Sequence, residues 1–222
     1  MVTNELHTRI IENRDWATLV FVFSLVLIVL AKSTFESRFN DFIKLVVSDK
    51  YSKIYRESSH LMSGFNVFLF VVNLVSLSFF IQIIVVRLFN YGTITDWVLF
   101  VRVFTLLTVF ILCKFLIEKV IAVTFGVEEI IEQFNLQKVN FRTYLGLLLL
   151  PVSIILFYGN YASKLLIMII VIILLIINLL SYLVLLKNYQ NLLFSKLFYI
   201  ILYLCALEIA PYYFIYYLIS KN

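Results

Sequence analysis

Glu208 is the one charged residue in an otherwise apolar and aromatic run over residues 202–217, LYLCALEIAPYYFIYY. A carboxylate in hydrocarbon is costly, so it needs either an opposite charge or a bound proton. Three residues on, Pro211 lacks the backbone donor that would satisfy the carbonyl of Leu207. Acid and loosened backbone together make the chemically unusual spot of the chain. Three more ionisable groups, Arg102, Lys114 and Glu118, lie in or at the edge of apolar runs. Lys114 and Glu118 stand four apart on one helical face near its end, where a local ion pair is expected. Arg102 lies five residues past Trp97, about 7 Å below the interface at ~1.5 Å per residue. Glu208 lies twelve residues past Lys196, about 18 Å from that side of the membrane and some 12 Å from the other in a ~30 Å core. An arginine side chain spans the difference, so Glu208 and Arg102 form the candidate intramembrane polar site, with Pro211 beside it.

As a clamp between two spans, the pair relieves two desolvation costs at once, and this reading is favoured. The alternative makes Glu208 a proton or cation carrier, neutral towards lipid and ionised when paired or wet. Asn73, Asn178 and Tyr203, with Gln82, are the in-membrane hydrogen-bonding groups available as neighbours. Enzymatic chemistry lacks its parts, and no catalytic residue is assigned. His7 and His60 fall outside the apolar runs, so haem ligation by paired intramembrane histidines and Ser/His proteolysis are not expected. Glu128-Glu129 is similar to the paired glutamates of one intramembrane protease family, but Gln133 stands where its arginine belongs and its histidine motifs are missing. Glu128, Glu129 and Glu132 are expected on a solvated helix face, with no metal because no His or Cys joins them. Cys113 and Cys205 sit in apolar runs without CxxC spacing and are expected as small buried hydrophobes. No cofactor is implied.

These residues must be positioned by membrane helices. Of 222 residues, 63% are hydrophobic and only 14% charged, and the mean hydropathy is +1.03. Soluble domains carry about 25% charge. The expected fold is all-α, a single polytopic helical bundle of about six transmembrane helices over 16–31, 65–86, 97–117, 144–158, 162–186 and 197–219. The first is read as a retained span because Lys32, and no cleavage site, follows it. The third continues helically to about Phe125, longer than the membrane is thick, so its far end should project. The fourth is short and carries Pro151. In the connection after the first span, Phe35, Phe39, Phe42 and Val46 share one helical face, which predicts a juxtamembrane amphipathic helix lying on the bilayer or packed under the bundle. Thr95 or Asp96 is expected to cap the third helix.

The net charge of +5 is not a nucleic-acid signal, because the basic residues alternate with acids beside apolar runs. Connections 32–63, 118–143 and 187–196 carry eleven Lys and Arg, against five on the side of the termini. The positive-inside rule therefore makes these connections cytoplasmic and the termini periplasmic.

At the carboxyl end, Cys205, Leu207, Glu208 and Pro211 form a CxLExxP core. With Asp15-Trp16, Lys32-Ser33, Phe35, Arg38-Phe39, Tyr51, Tyr55 and Phe65-Asn66, it resembles an uncharacterised family of Bacteroidota inner-membrane proteins, known as a domain of unknown function. The resemblance spans nearly the whole chain and implies the inner membrane of a Gram-negative envelope; it implies no activity. The expected function is a non-enzymatic subunit or accessory factor of a membrane assembly, for protein export or envelope biogenesis. Its expected partners are the lipid bilayer and other membrane proteins. The alternative is a small ion- or proton-coupled transporter using Glu208. For the topology, a reporter fused after Asn222 that is active only in the cytoplasm is expected to stay silent, and activity there would invert the assignment.

Overall fold

The computed structural model describes residues 14–43, 64–124, 126, 128–159 and 163–188, which are helical apart from their connections. In order the helices are α1 (Asp15–Thr34), α2 (Glu36–Ile43), α3 (Gly64–Phe89), α4 (Trp97–Thr124), α5 (Glu128–Tyr158) and α6 (Lys164–Asn188). Among the described residues the fold is thus all-helical. Five segments are long and apolar enough to cross a membrane: α1, α3, α4, residues 138–158 of α5 and residues 164–181 of α6. The expected sixth span, 197–219, and the stretches 44–63 and 189–196 lie outside the described residues.

Helix ends follow local chemistry. Asn90 at φ 54° turns the chain out of α3 in the left-handed conformation that asparagine tolerates. Asp96, one of the two expected caps, accepts from the amides of Val98 (2.9 Å) and Leu99 (3.3 Å) and opens α4. Gly126, at φ 59°, lies in the turn between α4 and α5. The connection expected over 118–143 is therefore a helical hairpin, and the short span expected from Tyr144 is the second half of a 31-residue helix with Pro151 inside it. A proline inside a helix removes one backbone bond without ending the helix where neighbouring helices support it.

α3 is the core of the bundle. Of its most apolar window 61% is buried, against 11% for α4 and 6% for α6. Helices in lipid gain no hydrophobic effect by meeting each other, so they associate by close packing and polar contacts. α5, which runs parallel to α3, packs closely against it. A side-chain carbon at Gly146 would overlap the Asn73 amide oxygen and lie 2.7 Å from its Cγ and 3.0 Å from its Cα. The hydrogen that glycine carries in that direction points at an oxygen, buried with Asn73 at 2% exposure, that has no N–H or O–H donor among the described residues. This is the geometry of a Cα–H···O contact between closely packed helices. Further along, the Ser153 hydroxyl donates to the Ser76 carbonyl at 3.5 Å. α1 reaches α3 through a stripe of Ala17, Phe21, Ser24, Leu27 and Ala31, whose small members admit close contact.

Phe79 ties the helices together beyond that seam. Fully buried, it stacks on Phe21 of α1 at 4.1 Å and meets Phe100 of α4 at 4.5 Å and Phe157 of α5 at 5.5 Å. Such ring pairs contribute about 0.5–1.5 kcal/mol each beyond area. At the other end, α2 tucks Phe39 and Phe42 against Ala31, Phe65 and Leu69, and Phe42 also meets Tyr144 at 6.1 Å. The amphipathic helix thus packs under the bundle; Val46, the fourth residue of its expected face, lies outside the described residues.

The Asn73 to Gly146 contact makes a direct prediction. Gly146→Ala forces the two helices apart and should destabilise the bundle by about 1–3 kcal/mol. In a detergent thermal-unfolding assay, adding Asn73→Ala should recover part of that loss; a G146A variant as stable as the wild type would mean that the helices do not meet there.

Candidate functional site: a buried ion pair and a pinned loop

The connection expected to be a solvated charged segment contains the most polar interior of the described chain. Lys138 of α5 reaches Glu118 of α4, Nζ to Oε1 at 3.3 Å, with side chains 8% and 6% exposed. At that length the contact is an ion pair more than a short charge-assisted hydrogen bond. Asn135, Asn140 and Thr143 of α5 are buried in the same stretch, while Glu128 is exposed. Both charges sit where α4 and α5 run back to back near their Gly126 turn. A pair taken from water in this way loses solvation that only a well-placed partner offsets. The spacing of Lys114 and Glu118 does not name this partner, which lies twenty residues on and reaches Glu118 only because the hairpin folds back.

At the opposite end a neutral network fixes the loop between α3 and α4. The Gln82 amide nitrogen donates to the carbonyls of Ile94 (3.0 Å) and Asp96 (2.9 Å), and the Trp16 indole donates to that of Thr95 (3.1 Å). The Thr18 and Tyr158 hydroxyls, 2.6 Å apart, join α1 to the end of α5. With Trp16, Tyr91, Trp97 and Tyr158 gathered there, this end has the aromatic composition of a membrane interface.

The structure separates the residues singled out in the sequence. Asn73 is buried in the α3–α5 seam. Asn178, exposed on α6, donates to the Leu174 carbonyl of its own helix at 3.1 Å. Arg102 is exposed on α4. Glu208, Pro211 and Tyr203 lie outside the described residues, as does Cys205. Cys113, expected to be buried, is exposed on α4; an apolar run does not say which face is covered, and little of α4 is. Among the described residues, no cluster of three His, Cys, Asp or Glu could hold a metal ion. What the sequence reading missed is the buried side of α5, where Asn135, Lys138 and Asn140 look like any hydrophilic loop until the hairpin covers them.

Residues 17–219 match the family described as a domain of unknown function, DUF4271, and the chain belongs to that family. No curated protein and no solved structure matches it.

Breaking the ion pair should show whether the hairpin depends on it. Lys138→Met leaves Glu118 buried without that charge and should cost about 3–5 kcal/mol, whereas the double variant with Glu118→Leu should lose less than the sum of the singles. Additive losses in a double-mutant cycle of detergent unfolding would show that the two charges do not act as a pair.

Proposed function

We propose that this family member is a non-enzymatic subunit or accessory factor of an inner-membrane assembly, of the kind that serves protein export or envelope biogenesis. The observation that carries the reading is how little of α4 and α6 the bundle covers, 11% and 6% of their apolar windows. Side chains such as Leu106, Leu165 and Leu175 are 62–70% exposed, and faces of this kind meet either lipid or the helices of other membrane proteins.

The hairpin adds a second surface. α4 has 28 residues, about 42 Å of helix against a ~30 Å hydrocarbon core. Its end at Gly126 therefore stands clear of the lipid, on the side where Lys32, Arg38, Lys119, Lys138 and Arg142 collect. By the positive-inside rule that side is cytoplasmic and the Trp16 end periplasmic. A projecting helical hairpin stiffened by a buried ion pair suits contact with a cytoplasmic partner better than it suits catalysis.

Extraction of the native protein in mild detergent should yield a particle larger than the chain, with a companion in fixed ratio. Ile172→Trp on the bare face of α6 should release that companion without lowering the amount of the chain. Recovery of monomers alone would count heavily against the assembly reading.

A further inference from the structure

Arg102 is the one charged residue between Trp97 and Cys113, and its surroundings on α4 are bare. It is exposed, and it makes no ion pair or hydrogen bond among the described residues. Val98, Leu106, Val109 and Leu112, spaced to share its face of the helix, are 47–70% exposed. The height of this face in the membrane is fixed from the loop. Gln82 and Trp16 hold that loop through the carbonyls of Ile94, Thr95 and Asp96, and the exposed rings of Tyr91 and Trp97 mark the interface there. Arg102 lies five residues deeper than Trp97, about 7 Å at ~1.5 Å per residue. With its loop pinned, α4 does not slide to lift the guanidinium out. A cation held at that depth calls for an anion within reach of its side chain.

We propose that this face of α4 binds a glycerophospholipid of the leaflet at the Trp16 end, with the Arg102 guanidinium on its phosphate and an acyl chain along Leu106, Val109 and Leu112. Charge and depth choose this occupant. Every carboxylate of the described residues lies at another level. Asp15 and Asp96 stand at the interface, where the Asp96 Oδ1 accepts from the Val98 and Leu99 amides. The others belong to α2 and to the Gly126 end of α4 and α5, while α3 and α6 carry no acid. A second copy in the same orientation has the same levels, and packing this face on itself would set Arg102 against its own counterpart, a like-charge contact. The phosphate layer bounds the hydrocarbon on the loop side, a distance that an arginine side chain spans while its stem stays against the helix. In the other direction, the ten residues from Arg102 to Leu112 cover about 15 Å, half of a ~30 Å core and so the depth of one leaflet's acyl chains. A phospholipid matches both parts of the face, with an anion at the level of the guanidinium and hydrocarbon beneath it. The proposal goes beyond the assembly reading and does not rest on it, since it gives the loop-side half of α4 to lipid and leaves the bare face of α6 at Ile172 to a partner protein.

Two measurements on the full chain test it. Released from nanodiscs of phosphatidylethanolamine and phosphatidylglycerol, the protein should carry a retained phospholipid in native mass spectrometry. Arg102→Lys should keep that lipid and Arg102→Gln should lower its retention several-fold. Equal retention in the wild type and Arg102→Gln would overturn the proposal. A photo-crosslinking residue at Leu106, in an otherwise unaltered chain in its native membrane, gives a second readout that leaves the charge in place. It should add the mass of a phospholipid to the α4 peptide. Crosslinks confined to residues 197–219, where sequence alone expects the partner of Arg102, to a second copy or to another protein would overturn the assignment of this face.

Discussion

The bundle depends on how closely α5 can approach α3, and that approach is set by one glycine. At Gly146 there is no side chain, and the space is taken by the Asn73 amide. In lipid the attraction between helices comes from contact, which falls away over fractions of an ångström. A helix pair that touches at its backbone therefore holds the neighbours that share its register. Ser153 against Ser76 and Phe157 against Phe79 lie further along the same seam, and Phe79 carries the contact outward to Phe21 and Phe100. The polar oxygen at the centre, without a conventional donor among the described residues, is met by the backbone at Gly146.

The two ends of the molecule are finished in different ways. At one end the loop is locked by neutral donors, Gln82 and Trp16, giving hydrogen bonds to backbone carbonyls that would otherwise face an apolar zone. At the other, α4 and α5 form a hairpin whose interior holds Glu118 and Lys138. Charge is tolerable there because water is near, and still effective because the pair is covered.

Around this frame the covering is uneven. α3 is enclosed, α1 and α5 show one face, and α4 and α6 show nearly all of theirs. What covers those two helices decides how the chain works.

Much of the architecture was legible in the residues. The spans read from hydropathy begin within a few residues of the helices α1, α3, α4 and α6, because about twenty apolar residues in lipid have few options besides a helix. The cap at Asp96 and the Phe39–Phe42 face of α2 were visible for the same local reason: caps and faces depend on neighbours in sequence. The continuation of α5 back to Glu128 was not, because its amphiphilic first half resembles a solvated loop in composition and becomes an interior only against α4. Composition and period thus determined by themselves that this chain is a helical membrane protein, where it turns and which charges stand inside its apolar runs. Only the tertiary structure decided that Asn73 meets Gly146, that Glu118 takes Lys138 as a partner, and that α4 leaves Arg102 bare. Those are choices of rotation and partner between helices, and almost any face of a uniformly apolar helix satisfies the membrane equally well until close packing selects one.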